Sequence, residues 1–165
     1  MRYNKSLFFI PLFILTSFFF SPTMNAAASN RSGQLGLGVM FGEPTGFTMK
    51  YWTGNRSALN FGLTYSFGNS AVVLVDYQWH FPQAFASAGR DGHLFVPYVG
   101  LGGVFAFHRS SRNSDAGIGM RIPLGIEFLP GRPPFGIFLE IVPGMWVAPA
   151  VDGFLQGAIG ARFYF

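Results

Sequence analysis

The closing segment of the chain, 153–165, alternates strictly with period two. Phe165, Phe163, Ala161, Ile159, Gly157 and Leu155 share one face of an extended strand, and Tyr164, Arg162, Gly160, Ala158 and Gln156 share the other. One face is continuous and apolar, while the other holds a charge, an amide and small residues. The same alternation recurs along the chain in segments of roughly ten residues, separated by Gly, Pro, Asn, Asp and Ser. Beyond the N-terminal region no stretch is apolar for the roughly 20 residues that a membrane-spanning helix needs. The pattern therefore predicts an all-β chain.

Composition sharpens this. Half of the 165 residues are hydrophobic and only 11% are charged, under half of the roughly 25% usual in soluble domains. There is no cysteine, which excludes a disulfide framework, thiolate chemistry and Cys-ligated metal. The N-terminus accounts for part of the hydrophobicity. Arg2 and Lys5 precede an apolar run over 7–20, followed by Ser21-Pro22 and Ala26-Ala27-Ala28. A basic start, an apolar core of about 7–15 residues and a small-residue cleavage site predict a secretory signal peptide over 1–28. The remainder, 29–165, is expected to form one domain. Removing Arg2 and Lys5 lowers the net charge from +4 to about +2, too little and too scattered to imply a nucleic-acid partner.

Eight segments carry the alternation: 33–41, 47–53, 58–67, 71–81, 94–107, 116–129, 135–148 and 153–165. In the third, Leu59, Phe61, Leu63, Tyr65 and Phe67 alternate with Asn60, Gly62, Thr64 and Ser66. In the fourth, Val73, Val75, Tyr77, Trp79 and Phe81 alternate with Asp76, Gln78 and His80 among others. Gly42-Glu-Pro-Thr-Gly46 separates the first two segments. It lacks the Lys-Ser/Thr of a phosphate-binding loop and has turn chemistry instead. Every charge inside a segment lies on the less apolar face: Lys50, Asp76, Arg121, Glu127, Glu140 and Arg162. Most segment glycines lie there too, and they are expected to leave room for Trp52, Tyr98, Phe138 and Trp146.

A soluble two-sheet sandwich could bury the apolar faces. The signal peptide and the even strand count favour the opposite arrangement, with apolar faces in lipid and charges inside. Backbone satisfaction in hydrocarbon then requires closure. The expected fold is an eight-stranded antiparallel transmembrane β-barrel. An N-terminus in the periplasm puts the outer loops at 42–46, 68–70, 108–115 and 149–153, and the longest connection, 82–93, on the periplasmic side. This inverts the usual pattern of short periplasmic turns and longer outer loops.

The balanced set of three cations (Lys50, Arg121, Arg162) and three acids (Asp76, Glu127, Glu140) should pair inside a narrow barrel. Paired, the set forms a plug; the alternative is a path for small ions. His80 and His93 have no second His or acid at metal-ligand spacing, and neither metal nor cofactor is expected. His108-Arg-Ser110-Ser-Arg-Asn113 loosely resembles the His and Ser of an outer-membrane lipid A 3-O-deacylase, itself an eight-stranded barrel. Ser111 stands where that enzyme family has Asn after the Ser. The parity of His108 is inward, and no acid is placed to orient it. A solvated loop without catalytic function is the expectation.

The closing strand resembles the C-terminal strand that the barrel-assembly machinery reads in bacterial outer-membrane barrels. The matching residues are Phe165, Phe163 and Gly160, with Ala158 where a polar residue is usual. Further runs resemble a family of small outer-membrane barrels from Gram-negative bacteria: Phe41-Gly-Glu-Pro-Thr-Gly46 with Lys50-Tyr-Trp52, Asp76-Tyr-Gln-Trp-His80, Pro97-Tyr-Val-Gly-Leu-Gly-Gly103, Arg121-Ile-Pro-Leu-Gly-Ile-Glu127 and Phe138-Leu-Glu-Ile-Val-Pro-Gly144. That resemblance implies a barrel similar to the transmembrane domain of outer-membrane protein A, and no particular activity. The partners it implies are outer-membrane lipid and lipopolysaccharide, with periplasmic chaperones and the assembly machinery during biogenesis. A structural or interaction protein is the functional expectation; a narrow channel and, less so, a lipid A-modifying enzyme are the alternatives.

Overall fold

The computed structural model describes residues 31–66, 70–109, 114–130 and 134–165. The expected signal peptide, 1–28, lies outside them. Nine strand segments are present among the described residues: β1 (Leu35–Glu43), β2 (Thr45–Trp52), β3 (Ser57–Ser66), β4 (Ser70–His80), β5 (Phe95–Arg109), β6 (Ser114–Arg121), β7 (Leu124–Phe128), β8 (Phe135–Ala148) and β9 (Asp152–Tyr164). All pairings are antiparallel, and strands adjacent in the chain pair with one another except β6 with β7. β9 returns to β1, from Gly36↔Tyr164 to Glu43↔Gly157, and closes the sheet. β6 and β7 both pair with β5 on one side and β8 on the other. They are two halves of one barrel position, so the nine segments make an eight-stranded barrel.

The expected sixth strand, 116–129, is thus interrupted at Ile122-Pro123. Proline has no N–H to give the ladder, and regular pairing stops around it. Gly100 N still donates to Pro123 O (2.8 Å) and Ile122 N to Pro143 O (2.9 Å), which keeps the halves in line. At 42–46 the expected turn is present, because β1–β2 pairing ends at Met40↔Gly46. Its arms stay paired on their other edges, up to Glu43↔Gly157 with β9 and from Thr45↔Tyr65 with β3. The Thr45 hydroxyl donates to Gly42 O at 2.8 Å and so ties the turn across its base.

Burial follows the alternation. Leu37, Phe41, Phe47, Leu63, Leu101, Ile118, Met120, Leu139, Ile141, Leu155 and Ile159 are exposed on the outside. Lys50, Asp76, Arg121, Glu127, Glu140 and Arg162 are buried inside. A soluble monomer rarely exposes apolar patches beyond a few hundred Å², and this one encircles the molecule. It is the surface of a barrel solvated by hydrocarbon, with charges kept off a face where an Arg or Lys would cost about 2–4 kcal/mol at mid-depth.

Two buried apolar groups fill the interior at different heights. Trp52, Ala58, Val96, Leu129 and Tyr164 lie at the end where Arg31 and Phe165 are found. Met40, Val72, Leu74, Val104 and Phe138, backed by Ala106, Trp146 and Phe154, lie toward the other end. Large inward rings face strand glycines in three of the four expected cases. A Cβ at Gly160 would overlap the Phe138 ring, one at Gly125 the Tyr98 ring, and ones at Gly117 and Gly119 would crowd Trp146. Trp52 is the exception; it packs on the His80 ring, centroids 4.4 Å apart. The glycines at its level, Gly36 and Gly136, make room for Tyr164 instead.

Two glycines of one strand test this packing. Gly157 points outward, and a Cβ there would meet only the Glu140 carbonyl oxygen, 3.8 Å away. Gly160→Val should destabilise the barrel by about 1–3 kcal/mol, the usual range for overpacking. Gly157→Val should be nearly silent. Urea titration of the refolded barrel, followed by the mobility shift of unheated protein on a denaturing gel, reads both; equal losses would mean that the Phe138–Gly160 fit is immaterial.

Candidate functional site

The inner charges lie between the two apolar groups, and one network of hydrogen bonds and ion pairs joins all six. Glu127 on β7 is its hub. Lys50 Nζ donates to Glu127 Oε2 at 2.6 Å. Arg162 Nη1 lies 3.3 Å from Oε1, which also accepts the Tyr164 hydroxyl. His80 Nε2 is 3.1 Å from Lys50 Nζ and 3.7 Å from Glu127 Oε2. Arg162 lies over the Phe138 ring, 3.8 Å from its centroid. Its remaining donors reach Thr48 Oγ1 (3.0 and 3.2 Å) and Asn60 Oδ1 (3.0 Å).

Asn60 links this half to the second, because its Nδ2 donates to Asp76 Oδ2 at 3.1 Å. Arg121 then bridges Asp76 and Glu140. Its Nε is 3.0 Å from Asp76 Oδ1, an ion pair without hydrogen-bond alignment, and its Nη2 donates to Glu140 Oε1 at 3.3 Å. The Tyr98 hydroxyl donates to Glu140 Oε2 at 2.8 Å. Three cations thus meet three carboxylates within one desolvated layer, with hydroxyls and an amide taking part of the remaining valences. Among the described residues Arg121 Nη1, His80 Nδ1 and both amide atoms of Gln78 are buried without a hydrogen-bond partner.

Parity alone places the six charges on one face. It does not show that Asn60 connects their halves, nor that Tyr98, Tyr164, Thr48 and His80 belong to the set. Each of these has inward parity and a polar group, which was the available signal. Their partners depend on how strands shear past one another around the barrel. Of the closing-strand residues, Phe163 and Phe165 point outward with ring centroids 5.1 Å apart, and Gly160 lies inside beneath Phe138. The backbone of His108 pairs with Ser70 and Asp115. Residues 110–113, which hold Ser110 and the rest of that motif, lie outside the described residues. Among the described residues no group of three or more His, Asp or Glu is placed to hold a metal ion.

A solved structure shares this architecture. The N-terminal β-barrel domain of Pseudomonas aeruginosa OprF matches over 81% of this chain and 98% of its own, with a TM-score of 0.61 and 15% identity. The fold is that of an outer-membrane β-barrel. Yersinia pestis outer membrane protein Ail also matches, over 81% of this chain and all of its own, at a TM-score of 0.43 and 17% identity. No protein-family model and no curated protein matches the sequence. The eight-stranded barrel implied by the resemblance to the transmembrane domain of outer-membrane protein A is the fold observed.

The hub makes a graded prediction for this barrel. Removing one partner of a buried ion pair costs about 3–5 kcal/mol, because the other charge is left uncompensated. A hydrogen bond to a charged group contributes about 1.5–3 kcal/mol. Glu127→Ala, which strands Lys50 and Arg162, should therefore lower the urea midpoint more than Tyr98→Phe, which removes one donor from Glu140. The reverse order would show that Glu127 is not the hub.

Proposed function

We propose that the chain is an integral outer-membrane β-barrel of structural or interaction type, exported by its signal peptide, with a lumen plugged by its own side chains. The observation that carries this reading is the position of the charged layer. Buried apolar groups lie on both sides of it, one around Trp52 and Tyr164 and the other around Phe138, Val104 and Trp146. An ion entering from either end would have to pass one of these apolar layers before it reached the six inner charges. An eight-stranded barrel is only just wide enough for its side chains. A channel needs a continuous polar path, and these two layers argue against one.

On this reading the end that carries Arg31 and Phe165 faces the periplasm, as does the connection 82–93. The outer-membrane wall meets lipid and lipopolysaccharide, and chaperones and the assembly machinery act on the chain during biogenesis. The reading assigns the protein no reaction and no cofactor.

Carbonate extraction should leave the mature chain in the membrane pellet. Reconstituted in planar bilayers, it should give no discrete conductance steps. Steps altered by Glu140→Ala or Arg121→Ala would make it a channel. Lipid A from cells with and without the protein should have the same mass spectrum. A lost or added acyl chain, abolished by His108→Ala, would make it an enzyme.

A further inference from the structure

The connection between β4 and β5 is the longest in the described barrel, and it folds on itself. Ala84 N donates to Phe81 O, Ala86 N to Gln83 O, Ala88 N to Phe85 O, Gly92 N to Gly89 O and Leu94 N to Asp91 O. A short 3-10 turn, Gly92–Leu94, leads into β5. Gly92 packs so closely on the Phe85 carbonyl that a Cβ there would overlap it, which holds the two arms of the connection together.

This folded connection lies partly against the outside of the barrel. It forms a surface recess of about 460 Å³ with Phe95 of β5 and Ile126 of β7. Both wall residues point outward, since their neighbours Val96 and Glu127 are buried inside. From the connection come Phe85, Ala88, Arg90 and Asp91. The floor is apolar and continuous with the lipid-facing wall, and the opposite charges stand side by side. Neither the Arg90 nor the Asp91 side chain makes an ion pair or hydrogen bond among the described residues.

Resting on the membrane reading above, we propose that this recess seats one phospholipid whose headgroup carries both a phosphate and a primary amine. An acyl chain lies on Phe85, Ala88, Phe95 and Ile126, the phosphate meets Arg90, and the ammonium meets Asp91. A guanidinium alone would accept any phosphate. Asp91 beside it repels a purely anionic headgroup and rewards an ammonium that can donate hydrogen bonds. A quaternary amine has no N–H to give.

The mature chain, assembled in nanodiscs of equal parts phosphatidylethanolamine, phosphatidylglycerol and phosphatidylcholine, tests this by native mass spectrometry of the lipid it retains. Phosphatidylethanolamine should be enriched as a single bound molecule. Arg90→Ala should reduce that retention about fivefold, the worth of one Arg near a membrane phosphate. Asp91→Asn should shift the preference toward phosphatidylglycerol. Arg56→Ala, at the same end of the barrel but outside the recess, should change nothing. Equal retention of the three lipids, preference for phosphatidylglycerol by the wild type, or retention indifferent to Arg90→Ala overturns the site while leaving the membrane reading in place. Failure of the chain to enter nanodiscs at all overturns both.

Discussion

Closure of β9 on β1 is the constraint from which the rest of the molecule follows. In hydrocarbon an unpaired backbone N–H or C=O costs several kcal/mol, so an open edge on either strand would be ruinous. The ladder from Gly36↔Tyr164 to Glu43↔Gly157 removes that edge along nearly the whole of β1. Closure at eight strands also sets the bore, which is just wide enough for side chains. Inside such a bore little solvent can screen a charge. Each of the six inner charges therefore has a counter-ion within 3.3 Å.

The network reaches every strand segment except β1. It draws Thr48 and Lys50 from β2, Asn60 from β3, Asp76 and His80 from β4, Tyr98 from β5, Arg121 from β6, Glu127 from β7, Glu140 from β8, and Arg162 and Tyr164 from β9. β1 contributes Gly36 and Gly38 on its inner face, where a Cβ would overlap the Tyr164 ring or the backbone of β9. Buried ion pairs are weak sources of net stability, since desolvation offsets most of their attraction. Their value here lies in register. Slipping a strand by one residue turns its inner set outward, so burial of the charge excludes every odd slip, and a slip of two would separate the charge from its partner. The glycines act in the same sense, because Phe138 fits against Gly160 and Tyr98 against Gly125 only when the strands are aligned as they are.

The faces of this barrel were legible in the sequence because period-two alternation is a local property. Each inward charge could be assigned from its own neighbours, and the 135–148 segment coincides with β8 at both ends. The break between β6 and β7 was not legible, for an instructive reason. Arg121 and Pro123 face in while Ile122 and Leu124 face out, so the alternation runs through the proline undisturbed even though the ladder does not. Partner choice inside the bore was equally hidden. Lys50 and Glu127 are far apart in sequence, and their meeting depends on strand shear and tilt, which alternation does not encode. Trp52 shows the same limit: a ring on the inner face needs room, but whether a glycine faces it or another ring, as His80 does, depends on partners across the bore.

Among the described residues the two ends of the barrel are unequal. At the end away from Arg31 and Phe165, the β1–β2 hairpin turns within the few residues between Met40 and Gly46, and 149–151 alone join β8 to β9. Pro44, at the tip of the first of these turns, is itself buried. Such turns satisfy their own backbone, as Thr45 does for Gly42, and leave little polar surface for specific recognition. The opposite end carries the folded 81–94 connection, an open depression bordered by Arg31, Trp52, His93 and Tyr164, and exposed aromatic side chains at Trp79, Phe81, Phe85 and Phe95. Aromatic side chains with both apolar and polar reach favour the interface between hydrocarbon and headgroup. Among the described residues, exposed Trp79, Phe81, Phe85 and Phe95 gather at the end that carries the folded connection, and there the connection continues the apolar surface of the wall.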